Sequence, residues 1–151
     1  MSVAVQSAPF DCAAEVRALT AGRTDIGAIV TFTGTVRGDA KGRPILSMEL
    51  EHYPGMTERE LERVEALANA RWPLQGTRIV HRIGVLKPGD DIVLVVTTSA
   101  HRKAAFEAAE FLMDYLKTSA PFWKKETGVD GVGVWVDARE ADEAARGRWE
   151  G

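Results

Sequence analysis

Apolar and polar positions alternate along much of this chain, and the period changes in an ordered way. In 28–36, Ala28, Val30, Phe32 and Val36 fall on one side and Thr31, Thr33 and Thr35 on the other, as in a half-buried strand. Residues 46–53 repeat this, with Leu46, Met48 and Leu50 opposite Ser47, Glu49 and Glu51. The intervening RGDAKGR holds Gly38 and Gly42 and reads as a mobile surface loop. Residues 78–86 and 92–98 read as a hairpin turned through Lys87-Pro88-Gly89-Asp90, with Pro and Gly where a type II turn wants them. Ile92–Val96 is apolar throughout, which predicts a central strand covered on both faces.

Helical spacing fills the gaps. Asp11 caps a helix over 11–20 whose stripe is Cys12, Val16 and Leu19 and which Gly22 ends. A second runs over about 57–72, with Thr57 and Glu60 as a capping box, Met56 stapled on Leu61, and Leu61, Val64, Ala68 and Trp72 inward. A third covers 101–117, burying Ala105, Ala108, Leu112 and Tyr115 or Leu116. Short strands near 121–126 and 132–136 follow. Hairpins interleaved with three main helices predict an α+β fold with mixed or antiparallel sheets, in one domain over 1–140. The charged tail, 141–151, reads as a short helix or a loosely ordered segment.

At 151 residues the chain can bury a self-sufficient core, and 45% hydrophobic with 27% charged residues is ordinary globular composition. No apolar run nears the ~20 residues of a membrane span, and the first residues lack a secretory pattern. The expectation is a soluble cytoplasmic protein. One cysteine excludes an internal disulfide and a multi-cysteine metal site, and the three histidines are too scattered for a metal centre. His52 and His81 fall on apolar strand faces, where histidines are commonly structural. No P-loop, GxGxxG or GxSxG is present.

A net charge of −3, from 19 basic and 22 acidic residues, gives no case for nucleic acid. The charge is nevertheless segregated. Residues 101–125 carry five Lys or Arg against three acids (+2), leaving −5 for the rest. His101, Arg102 and Lys103 open the third helix, the wrong sign for its dipole unless an anion sits there. Arg37 leaves the Thr-faced strand beside the glycine loop, a place suited to anion capture. In Lys117-Thr-Ser-Ala-Pro-Phe-Trp-Lys124-Lys125, aromatic surface lies next to lysines. A lysine so placed can transfer a proton or attack a carbonyl carbon. Because Lys124 and Lys125 alternate in a strand, at least one of them should face solvent.

Several segments are recognisable in themselves: FTGTVRG (32–38), LEHYPGMTE (50–58), HRIGVLKPGD (81–90), SAHRKAAFEA (99–108) and DYLKTSAPFWKKE (114–126). Together they resemble the catalytic large subunit of molybdopterin synthase over most of residues 3–140. The resemblance implies an α+β fold with a hammerhead-like β element and no resident cofactor. It implies conversion of cyclic pyranopterin monophosphate to molybdopterin, a step of molybdenum cofactor biosynthesis. Two sulfurs would come from a small ubiquitin-like partner bearing a thiocarboxylate on its C-terminal Gly-Gly. The implied assembly is a central dimer of large subunits with one small subunit at each end. Lys117 and Lys124 match the catalytic pair: Lys117 would approach the partner's terminal carbonyl, and Lys124 would assist proton transfer or charge stabilisation at the pterin. Arg37, His101 and Arg102, with the Thr35-Val36 backbone, match substrate-binding positions, and Lys125 and Glu126 extend that contact.

With Cys12 packed in the first helix, the sulfur would have to come from outside the chain. The competing reading is a non-catalytic module whose basic pocket holds a phosphorylated metabolite or a partner's acidic tail.

Overall fold

The apolar run at the middle of the chain becomes the centre of the molecule. In the computed structural model, which describes residues 2–136 and 140–150, it is the strand β7 (Asp91–Ser99), buried from Val93 to Ser99. Its neighbours are β5 (Leu74–Arg82) and β2 (Ala28–Thr35), both antiparallel to it. On the far side of β5 lies β1 (Val3–Gln6), parallel to β5, so the first sheet runs β1-β5-β7-β2. β1 leaves no mark in the pattern along the chain: four residues offer too little alternation, and their partner lies more than seventy positions away.

The two faces of this sheet are covered by different helices. Ile79, Val93 and Val95 meet α2 (Met56–Arg71) and α3 (Arg102–Thr118) through Leu61, Val64, Ala68, Phe111 and Leu112. Val80, Leu94 and Val96 meet α1 (Cys12–Thr20) through Cys12, Val16 and Leu19. Covering both faces removes any need for alternation in β7, which is why its run is unbroken.

The second sheet follows β3 (Asp39–Ala40), β4 (Arg43–His52), β8 (Phe122–Gly128) and β9 (Gly133–Val136), with β6 (Gly84–Leu86) also on β4. Two expectations change here. RGDAKGR is not a mobile loop but a hairpin, because Lys41 and Gly42 both take positive φ (53° and 80°), as a two-residue turn requires. The expected strand 78–86 is interrupted. At Gly84, φ +89°, the chain leaves the first sheet and β6 joins β4 in the second. The 87–90 turn forms as expected: Gly89 has φ +91° and the Asp90 N–H donates to the Lys87 carbonyl at 2.9 Å.

The cap of α2 also differs. Its N-cap is Gly55, whose N–H donates to Glu58 Oε1 at 3.1 Å, and Met56 is exposed instead of stapled. Thr57 has another task. Fully buried, its hydroxyl accepts from the Tyr53 N–H at 2.9 Å and donates to the Pro121 carbonyl at 3.0 Å, tying α2 to the α3–β8 connection. Thr57→Val should therefore cost about 1–3 kcal/mol in urea unfolding, since two buried backbone groups lose their partner. A loss below a few tenths would show that the tie is dispensable.

The charged C-terminal segment forms α4 (Glu140–Gly147), and Trp149 follows it. Trp149 packs edge-on against Trp72 and Phe111 and donates its indole N–H to Asp114 at 2.7 Å. Four helices and two sheets among the described residues agree with the expected α+β class.

Candidate active site

A cavity of ≈ 270 Å³ opens between residues of the two sheets and the C-terminal turns of α3. Each wall comes from a different part of the chain. Strand β2 presents Phe32, Gly34 and Thr35 before the backbone turns at Val36 and delivers Arg37. The last turns of α3 present Met113, Leu116 and Lys117, and β8 presents Phe122, Lys124 and Glu126. These three β8 residues are two apart and therefore share a face. Below them lie Met48 and Leu50 of β4, Val93 of β7 and His81 of β5.

Five of the residues singled out from the sequence, Thr35, Arg37, Lys117, Lys124 and Glu126, thus meet around one cavity. Four others do not line it. Val36 is 3% exposed and packs with Met48, Leu50 and Leu86. Its N–H donates to the Asp90 carbonyl at 2.9 Å and its carbonyl accepts from the Gly89 N–H at 2.8 Å, so its backbone anchors this corner to the 87–90 turn. Lys125 projects from the opposite face of β8, its Nζ 5.8 Å from the Trp135 ring centroid. This is the alternation anticipated for the lysine pair. His101 and Arg102 are exposed at the other end of α3. At 1.5 Å per residue the helix separates them from Lys117 by roughly 24 Å. The cationic cluster read from the sequence is therefore split within one chain.

At that far end the expected charge mismatch is present: the first turn of α3 holds no acid, and the N-cap His101 makes no side-chain cap bond. Gly27 lets the backbone come close there. A Cβ on it would lie 2.0 Å from the Ala100 carbonyl oxygen.

The cavity is not simply basic. Arg37, Lys117 and Lys124 face three acids, Asp39, Glu126 and Asp142. Among the described residues neither Arg37 nor Lys117 lies within ion-pair distance of a carboxylate, so both cations remain available to an anionic ligand. Arg37 lines the cavity instead of floating on a mobile loop, because β3 pairs with β4 and orders the segment that follows it.

Three titratable lining residues have no functional signature in the sequence. Asp39 sat in the supposed loop and Asp142 in the charged tail, where neither had a periodic neighbour to place it. His81 was read as structural, and half of that holds. Its Nδ1 lies 2.8 Å from the Arg82 carbonyl and its ring stacks on Phe122, with centroids 3.7 Å apart and planes 17° from parallel. Burial, and then the nearby charges of Lys117 and His52, push its pKa down to about 4. The signal that could have found it is its position, one strand over from Val93 on the α3 face.

Cys12 is half-buried against the α1 face of the first sheet, with Val80, Leu94 and Val96 between it and the α3 side. It has no place at the cavity.

Comparisons with known proteins bear on the family and the fold. The family profile described as MoaE protein matches residues 5–119. The molybdopterin synthase catalytic subunit of Mesorhizobium japonicum is 57% identical over 150 residues, covering 99% of this chain and 93% of that protein. Among solved structures, the molybdopterin biosynthesis MoaE protein from Burkholderia ambifaria superposes with a TM-score of 0.84 at 52% identity, covering 99% and 98% of the two chains. Molybdopterin synthase from Staphylococcus aureus superposes with a TM-score of 0.80 at 37% identity, covering 87% and 94%. By sequence profile, by relatives and by fold, the chain belongs to the MoaE protein family of molybdopterin synthase catalytic subunits.

Proposed function

We propose that this cavity converts cyclic pyranopterin monophosphate into molybdopterin, taking one sulfur from the thiocarboxylated C-terminus of each of two small ubiquitin-like partner molecules in turn. The observation that carries the reading is the convergence of Arg37, Lys117 and Lys124, from three separate elements, on one cavity. A cyclic phosphate is held by cations that converge on it, and Arg37, which has no carboxylate within ion-pair distance among the described residues, offers it a planar fork. The thiocarboxylate sulfur displaces an oxygen substituent from a pterin carbon, which leaves protonated, to give a thioester. Lys117 polarises the thioester carbonyl while water adds, the acyl carbon–sulfur bond breaks, a carboxylate is restored and the sulfur stays on the pterin as a thiolate. Lys124 and Glu126 handle charge and protons at the pterin. Met113, Leu116 and Phe122 exclude water from the sulfur, which strengthens each of these interactions.

The chain works as a dimer in this reading, with His101 and Arg102 completing the site of the second copy. Two observations support it. The pair lies about 24 Å along α3 from Lys117 and does not line the cavity of its own chain. Strand β2 is also an open sheet edge, with Ile29 46% and Phe32 40% exposed. A complementation experiment tests it. Lys117→Ala and His101→Ala/Arg102→Ala chains should each be inactive alone. Mixed one to one they should recover about a quarter of wild-type activity, since half the dimers are mixed and each holds one complete site. No recovery would mean that the site uses residues of a single chain.

The decisive assay is turnover of the cyclic pterin with a thiocarboxylated partner, followed by mass for the gain of two sulfurs. Binding of the pterin without conversion would favour a non-catalytic module. The same assay bears on the cysteine: Cys12→Ser should keep full turnover, because the sheet stands between it and the cavity. An inactive Cys12→Ser protein would mean that sulfur passes through this chain's own thiol.

A further inference from the structure

His81 is placed where the two sheets meet beneath the cavity. Its β5 position pairs with Val93 on β7, so its side chain lies on the face that α3 covers. A backbone carbonyl can only accept, so the 2.8 Å contact to Arg82 fixes the proton on Nδ1 and leaves Nε2 bare. That nitrogen has no hydrogen-bond partner among the described residues, and the ring lines the cavity. The stacked Phe122 opens β8, and Lys124 stands two residues further on the same face. The ring therefore joins the strand that carries Lys124 to the sheet over which α3 carries Lys117.

Stacking alone does not call for histidine. A phenylalanine would fill the same space and stack as well, but would present no acceptor to the cavity. The acceptor gains meaning from Lys117, which lines the same cavity as the ring and whose charge adds to burial in lowering the ring's pKa. A proton relay does not fit. With a pKa of about 4 the ring is protonated in roughly one molecule in a thousand at neutral pH, so it cannot take a proton from an ammonium. It can only accept a hydrogen bond.

We propose that His81 is a positioning residue: its bare Nε2 accepts a hydrogen bond from the Lys117 ammonium as ligand displaces water from the cavity, while its ring face holds Phe122 and so sets Lys124 across from Lys117. This deepens the reading of the two lysines as the reacting pair and rests on it.

The test separates stacking from acceptance. His81→Phe keeps the stack and removes the acceptor; His81→Gln keeps an acceptor and loses the stack. In the partner-dependent assay His81→Phe should lower kcat by about 10- to 100-fold with KM for the cyclic pterin unchanged, since a misplaced group costs that much. His81→Gln should turn over faster than His81→Phe. An unaltered kcat in His81→Phe, or a loss confined to KM, overturns the proposal. A second readout needs no activity. With the cavity filled by the cyclic pterin, Lys117→Met should move the 15N resonance of His81 Nε2 and leave Nδ1 in place. An Nε2 signal indifferent to Lys117→Met also overturns it, and this arm stands if His81→Phe fails to fold. Wild-type protein that binds the pterin but never converts it would sink the proposed reaction, while the resonance still decides the contact.

Discussion

Lys117→Ala should give a folded protein that makes almost no molybdopterin. Lys117 is exposed on the last turn of α3, at the wall of the cavity, with no carboxylate within ion-pair distance among the described residues. Its removal breaks no ion pair. Only the favourable charge at a helix C-terminus is lost, about 0.3–1 kcal/mol. The effect on chemistry is far larger. A preorganised cation at a developing oxyanion accounts for about 10²–10³ in kcat, and here it also orients the sulfur donor. Turnover should therefore fall by about 10³-fold or more while the urea midpoint hardly moves. Lys117→Arg should recover little, because a planar fork cannot replace a compact ammonium in a site of this size. Near-normal turnover by Lys117→Ala would remove the residue from the mechanism.

The second large effect is expected at Lys124, and its neighbour supplies the control. Lys124 lies in register between Leu50 of β4 and Val136 of β9, facing the cavity. Lys125, one residue later, lies on the other face over Trp135, in space that Gly133 leaves open: a Cβ there would come within 2.5 Å of Lys125 Cε. Lys124→Ala should lower kcat by about 10²–10³ through lost charge stabilisation at the pterin. Lys125→Ala should leave kcat and KM within about twofold, as surface substitutions away from a site usually do. Equal losses from the two would mean that the β8 register differs during the reaction, and the assignment of Lys124 would fall with it.

These neighbouring lysines show how far the pattern along the chain reaches. Alternation alone says that Lys124 and Lys125 face opposite ways. It does not say which face meets the cavity, since both sides of β8 carry aromatic and charged groups. Likewise, an unbroken Ile92–Val96 run is legible as a doubly covered strand, because that burial needs no polar partner positions. The break at Gly84 was not legible. A glycine followed by Val85 and Leu86 fits one strand as well as two, and only the pull of β4 on β6 decides between them.

The helix ends divide in the same way. Asp11 was readable as the cap of α1, and its side chain does accept from the Ala14 N–H. The cap of α2 lies two residues earlier than the pattern suggests, because the Thr57 hydroxyl is claimed by the local Tyr53 N–H and by the Pro121 carbonyl, which comes from 64 residues away. Resemblance named the site residues that spacing could not join. Thr35, Arg37, Lys117, Lys124 and Glu126 meet at the cavity, while His101, Arg102, Val36 and Lys125 lie elsewhere on the same chain.

By itself the sequence determined the helices, the central strand, the α+β class, the basic segment within an acidic chain and, through its motifs, the family. Each of these rests on neighbours within a few residues, where burial on one face and a local charge excess leave a direct imprint. Tertiary structure decided which cations share a cavity, that a neutral histidine lies beneath two of them, and that the cations at the start of α3 stand a helix length away. Those outcomes depend on how sheets meet and how long a helix is between its ends. Such distances through space connect residues that carry no periodic relation along the chain.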